Sequence, residues 1–375
     1  MKFQVSSAVI LSHLQAISRV INSKNTMAIL DNFLFKLEDN YLTLTASDGD
    51  TTMVTKLELL TSEGDGLFAV PAKNFLDPLK ELPDQPLDIE VNDDTLEITI
   101  YFQNGKYSFV GINGAEYPQK LPMSDSAESF TINSNYLYNG ISKSVFATAD
   151  DELRPVMNGI YLDIFPNEII FVATDSHKLV RIKNDAVSTS LKASFILPKK
   201  PAKLLTNILS KDKSDPVEVK FDNNNAMFRF ADYEVTCRLI EGRFPNYASV
   251  IPQNYPFKVI VDRTLFMNVL RRVSVFANPA SSLVKLHLEG DKMTVSSQDI
   301  DFSTAAIETL SINYSGEPMN IGFRATLLIE ILNYISSQEI ILELADGSRP
   351  GLILPVENAE HEDLLMLLMP MMLTD

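Results

Sequence analysis

Apolar residues recur along this chain in two rhythms. Ile10, Leu14, Ile17 and Ile21 step by four, three and four, which draws one stripe down a helix spanning about 7–24. Leu137, Ile141 and Val145 draw a second stripe, and Phe266, Leu270 and Val273 a third. Another set runs through Phe75, Leu79 and Leu82, then Leu204, Leu205 and Ile208, then Leu327, Ile331 and Ile335. Each stripe is one-sided, so each helix lies on something and turns its other face outward. Between the helices the period drops to two. Phe33, Phe35 and Leu37 share a strand face, as do Leu42 and Leu44 after an Asp39-Asn40 turn. Ile160, Leu162 and Ile164 repeat that alternation, and so do Val284, Leu286 and Leu288 before a Gly290-Asp291 turn. Helices set between runs of strands predict an α+β fold, with helices layered on antiparallel sheet.

The same order of elements occurs three times. Acidic turns read TASDGDTTM at 45–53, VATDSHKLV at 172–180 and VSSQDIDFS at 295–303. Later helices read VPAKNFLDPLKELP at 70–83, LPKKPAKLLTNILS at 197–210 and GFRATLLIEILNYI at 322–335. Thr45 and Val172 are 127 residues apart, and Val172 and Val295 are 123 apart. That period is too long for a solenoid unit and fits one domain per repeat. The joints EYPQKLPMSDS and GRFPNYASVIPQNYP each hold an aromatic-Pro pair, Tyr117-Pro118 and Phe244-Pro245. They place the domains at 1–124, 125–253 and 254–375.

Net charge is −17, which at first argues against nucleic acid. Its distribution reverses that reading. The six segments 7–24, 71–82, 135–147, 198–213, 263–277 and 323–335 together carry +10, leaving −27 for the rest. Helices are basic while strands and loops are acidic. Hydrophobic residues make up 45% of the chain, ordinary for a globular protein. The sole cysteine, Cys237, rules out an intrachain disulfide and suits a reducing cytoplasm. The start MKFQVSSAVILSHLQ reads as a strand entering a helix rather than a signal peptide, and no stretch approaches the roughly 20 apolar residues of a membrane span.

Catalytic patterns are missing. No Gly-rich phosphate loop, HExxH or GxSxG string occurs, and His13, His177, His287 and His361 keep no metal-ligand spacing. Asp48-Gly-Asp50 and Asp299-Ile-Asp301 do not continue as calcium loops and read as turns. Asp175-Ser176-His177 is no triad, because triads are spatial rather than sequential. No enzyme, cofactor or metal is expected.

The start MKF, the run RPVMNG with ATDSHKL downstream, the joint GRFPNY and the ending MPMML, in this order and spacing, resemble the bacterial DNA polymerase sliding clamp, the β subunit of the replicative polymerase. The resemblance covers essentially the whole chain. It implies a head-to-tail homodimer closed into a ring of six similar domains, with helices lining a hole for duplex DNA. The charge split suits such a ring, because phosphate contacts give affinity without sequence preference. It further implies a cytoplasmic processivity factor whose partners are duplex DNA, the polymerase alpha subunit, the clamp loader and repair proteins.

By the same resemblance, DNA contact falls to Lys24, Lys73, Arg154, Lys199 and Lys200, with Lys203 on the same basic helix. A pocket for short linear peptides involves Met157, Thr174, His177, Lys178, Leu179, Pro245, Val250, Met369, Pro370 and Met371. Methionine suits that task, because its flexible thioether repacks around differing side chains. Three features depart from the family pattern: Met372 stands where arginine is frequent, Ser176 where glycine is common, and Thr374 and Asp375 follow the usual terminal leucine. The dimer contact falls to Tyr107 and Phe109 against Val275 and Phe276.

Overall fold

Two consecutive residues with positive φ, Asp39 (51°) and Asn40 (65°), close the first hairpin, between strands Asn32–Glu38 and Tyr41–Ser47. A two-residue turn of this hand matches the twist of its strands, and Asp and Asn tolerate it best after glycine. The computed structural model describes residues 1–209 and 211–373, so Ser210, Thr374 and Asp375 lie outside the described residues. Among these, every strand pairing is antiparallel.

Six α-helices form among the described residues: α1 (Ser7–Ser18), α2 (Ala72–Lys80), α3 (Ser134–Ser142), α4 (Lys199–Ile208), α5 (Arg263–Val273) and α6 (Ala325–Asn333). All six predicted helices are present, and most are shorter than predicted. α1 stops at Ser18, because Asn22, Ser23 and Asn25 favour turns over helix, so Ile21 and Lys24 lie beyond it. In α6 the fully buried stripe passes through Leu328 and Ile331 rather than Leu327. Arg19, Lys24, Lys143, Lys211, Lys213 and Arg324 fall outside the helices, as do Glu81 and Asp212. The helices therefore carry +6 rather than +10, and the rest −23. The split is weaker than the sequence suggested but keeps its sign.

The chain forms two compact units. One comprises 1–138 and 200–241. Here α1 packs on α2, with Ile10, Leu14, Ile17 and Phe75 buried, and Phe35 meets Phe75 edge-on at 5.2 Å. A nine-stranded sheet runs from the first repeat into the second. Strand Thr51–Glu58 pairs with Tyr233–Arg238, setting Thr55 opposite Tyr233 and Thr51 opposite Cys237. A five-stranded sheet ends on strand Gly105–Val110, which has a neighbour on one side only. Tyr117 ties down the first joint: its hydroxyl donates to Asn32 O at 3.3 Å and accepts the Ser47 N–H at 3.0 Å.

The other unit comprises 139–199 and 242–375. Its eight-stranded sheet is joined the same way. Strand Lys178–Asn184 pairs with Glu362–Leu368 along its whole length, from Lys178 opposite Leu368 to Asn184 opposite Glu362. A four-stranded sheet ends on strand Thr304–Ser311, again with one neighbour.

Candidate functional site

The carried-over cations do not stand alike. Lys24, Lys73 and Lys203 are exposed, and among the described residues no carboxylate lies within ion-pair distance of any of them. Lys199 Nζ donates to Asp150 Oδ2 at 2.6 Å, an exposed and exchangeable partner. Arg154 Nε donates to Asp151 Oδ2 at 2.8 Å, and its Nη1 to Ser176 Oγ. Lys200 is the exception. Its ammonium pairs with the buried carboxylate of Asp48 and donates to Val20 O at 2.8 Å and Asn22 Oδ1 at 2.6 Å. Three acceptors saturate an ammonium. Lys200 is a strut joining α4 to the first acidic turn, and the structure gives it no free donor for phosphate. On α5, Arg272 is taken by Glu308 with a shortest contact of 2.7 Å, and Arg263 donates to Ser337 O at 2.9 Å.

Several of the residues expected to form a peptide pocket gather around one hairpin tip. Strands Glu168–Thr174 and Lys178–Asn184 meet at a three-residue turn in which Asp175 Oδ1 accepts the N–H groups of His177 and Lys178, each at 2.9 Å. Ser176 adopts φ +78°, a region that L-residues enter at a cost and that glycine enters freely. Polar contacts hold the serine instead: its N–H donates to Thr174 Oγ1 at 3.1 Å, and its hydroxyl lies 3.6 Å from Met157 Sδ. The tail follows strand Glu362–Leu368 past this tip. Met369 N donates to His177 O and Met371 N to Gly322 O, both at 2.8 Å. A Cβ on Gly322 would lie 2.9 Å from Met371 O, so only glycine lets the tail lie this close.

Thr174 sits opposite Leu179, and Leu179 opposite Leu367, so these three share one sheet face. Tyr161, opposite Val172, belongs to the same face and receives the second joint. Phe244 stacks on Tyr161 at 4.8 Å, and Tyr247 OH donates to Asp163 Oδ2 at 2.9 Å. Burial pushes the Asp163 carboxyl up and the Tyr247 phenol further up. Pro245 and Val250 are carried by this segment, Val250 and Met369 both exposed.

Lys178 is a correction. It is the neighbour of Leu179 in a strand and therefore points to the opposite face. There it is buried, pairing with Asp175 at 2.9 Å and with Glu330 of α6 at 3.0 Å, its ammonium 5.8 Å from the Phe146 ring centroid. It supports the tip from behind and does not line the face. Tyr161 and Leu367, which the sequence reading did not single out, share the face of Leu179, and Gly322 holds the tail beside it. Strand alternation from Leu179 was the signal that separates Lys178 from them.

Three family models match in tandem. These are the DNA polymerase III beta subunit N-terminal domain over residues 1–122, its central domain over 131–246 and its C-terminal domain over 248–372. The chain belongs to the DNA polymerase III beta subunit family. It is 27% identical to the beta sliding clamp of Haemophilus influenzae and 26% identical to that of Escherichia coli K12, each comparison covering 100% of both chains. Solved clamps share the fold over 100% of both chains. One from Pseudomonas aeruginosa, bound to griselimycin, gives a TM-score of 0.94 at 24% identity, and one from Bartonella birtlesii gives 0.91 at 27%. The chain is a DNA sliding clamp for the polymerase III holoenzyme, a processivity factor rather than an enzyme. No described helix is long and apolar enough to cross a membrane.

Proposed function

We propose that two copies close head to tail into a ring around duplex DNA and hold the polymerase alpha subunit, the clamp loader and other partners by short peptides. One observation carries the ring. In each seam within the chain, the third meander strand of one repeat pairs with the last strand of the next: Thr51–Glu58 with Tyr233–Arg238, and Lys178–Asn184 with Glu362–Leu368. The third repeat has its own third strand, Thr304–Ser311, and the first repeat its own counterpart of Tyr233–Arg238, Gly105–Val110, each a sheet edge among the described residues. Pairing these between copies repeats the seam and covers both of these edges. Tyr107 and Phe109 lie on that free strand. Val275 and Phe276 occupy the turn after α5, where they are 77% and 41% exposed.

The repeats are taken as 1–124, 125–253 and 254–375. The anchoring of both joints by tyrosine hydroxyls supports this division. Exposure and accessible pairing support Lys24, Lys203, Lys199 and Arg154 as phosphate contacts. The face of Thr174 and Leu179, with Met157, His177, Pro245, Val250 and the tail 369–371, supports a docking site for an extended apolar peptide. The setting is the bacterial cytoplasm, at the nucleoid during replication. Loading onto nicked circular duplex tests the whole reading. The protein is expected to stay on the circle in high salt and to leave once the DNA is cut. Equal retention before and after linearisation rules out topological enclosure.

A further inference from the structure

Each repeat carries one aspartate that closes the turn before its third meander strand. Asp48 Oδ1 accepts the N–H groups of Asp50 at 3.0 Å and Thr51 at 2.7 Å. Asp175 Oδ1 does the same for His177 and Lys178, at 2.9 Å each. Asp299 Oδ1 does so for Asp301 at 3.0 Å and Phe302 at 3.4 Å. One oxygen is used alike three times, and the other is not. Asp48 Oδ2 takes Lys200, and Asp175 Oδ2 takes Lys178 at 2.9 Å. Asp299 is only 4% exposed, yet among the described residues no cation lies within ion-pair distance of it.

Lys200 shows where the missing cation belongs. It is the second residue of α4, which directly follows strand Ala193–Pro198. α2 directly follows the equivalent strand Gly66–Pro71, and its second residue is Lys73, exposed and without a carboxylate partner. In the first seam, a turn aspartate of one repeat meets the second helical residue of the next repeat. Applied to the closing seam, the same relation sets Asp299 of one copy against Lys73 of the other.

We propose that Lys73 of one copy pairs with Asp299 of its partner across the closing seam, and that Lys73 serves ring closure rather than phosphate contact. The proposal rests on the ring reading above. Ile300 and Phe302, 81% and 75% exposed beside the turn, are the apolar cover that closure would lay over the pair. A buried carboxylate without a cation is costly, so the pair rewards the correct edge and register and penalises other contacts.

The test is sedimentation equilibrium of the full chain. Lys73→Glu and Asp299→Lys are each expected to raise the dimer dissociation constant by about tenfold or more, and the double reversal to recover most of the loss. Because Asp299→Lys also removes the turn-closing oxygen, Asp299→Asn is measured beside it. That variant keeps an acceptor for the turn and is expected to weaken the dimer without unfolding it. If Lys73→Glu leaves the constant unchanged while Phe276→Asp yields monomer, the pair is wrong and the ring stands. If Phe276→Asp also stays dimeric, the ring reading itself fails, and this proposal with it.

Discussion

The ring of Phe146 lies flat against that of Tyr334, centroids 4.1 Å apart and planes 4° from parallel. Phe146 belongs to the run Ser144-Val145-Phe146-Ala147, just after α3, and the chain repeats that run as Ser274-Val275-Phe276-Ala277, just after α5. The first copy is covered by Tyr334, just past α6 in the following repeat. In the second copy Val275 and Phe276 are exposed. Phe276→Asp is therefore expected to convert the dimer to monomer at micromolar concentration, because closure would bury a lone charge where an apolar ring contributes about 1.5–3 kcal/mol. Sedimentation velocity reads the outcome, and a persisting dimer means the turn after α5 faces solvent in the assembly.

The lysines of α4 are expected to separate by role. Lys203→Glu, with Lys24→Glu, is expected to weaken duplex association and flatten its dependence on salt, since fewer counterions are released, while leaving thermal stability unchanged. Lys200→Ala is expected to cost about 1–3 kcal/mol of stability, because it strands the buried Asp48 carboxylate. Urea denaturation and salt titration of DNA binding, run on the same variants, distinguish the two. Full stability in Lys200→Ala would remove its role as a strut.

Asp175 and Lys178 predict a pH dependence. Burial opposes the charge on Asp175, but Lys178 and two backbone N–H groups outweigh it and hold the carboxyl below the usual aspartate range. Burial likewise opposes the charge on Lys178, but Asp175 and Glu330 raise its pKa above 10.5. A carboxylate with a depressed folded-state pKa stabilises the fold above about pH 4 and loses that contribution as pH falls through the folded value. A lysine with a raised pKa contributes below its unfolded value and loses it as pH rises through the folded one. The stability gap between wild type and Lys178→Met is thus expected to be widest from about pH 5 to 10 and to narrow in acid. Denaturation curves across that range check it, and a gap unchanged down to pH 3 rules the pair out as its source.

Removal of residues 369–375 deletes the segment anchored by Met369 N–His177 O and Met371 N–Gly322 O. The shortened chain is expected to remain dimeric and to bind a polymerase-derived peptide at least about tenfold more weakly, by loss of roughly one buried apolar side chain or more. Isothermal calorimetry decides. Equal affinity in the two forms would place the peptide elsewhere.

Period and alternation carried most of the fold, since a helix stripe and a strand face are set by residues near in sequence. The limits were local too: α1 ends before Lys24 because a polar Asn-Ser run competes with the helix, and no stripe marks that point. Lys178 was legible, because a residue beside Leu179 in a strand cannot share its face. The role of Lys200 was not, because its partners Asp48, Val20 and Asn22 come from another repeat and no period links them. The seams were hidden for the same reason: alternation says which way a strand faces and not which edge it meets.

Because Thr51–Glu58 is completed by Tyr233–Arg238, and Lys178–Asn184 by Glu362–Leu368, the repeat visible in the gene is not the piece that can be cut out. Excised alone, residues 125–253 would carry two raw borders, one missing its donor strand and the other a donor without its acceptor. Such a fragment is sticky by construction of the backbone alone. Inside a cell it would compete for the seams of intact molecules as they fold, so a truncated gene product is expected to poison clamp assembly rather than merely fail to contribute to it.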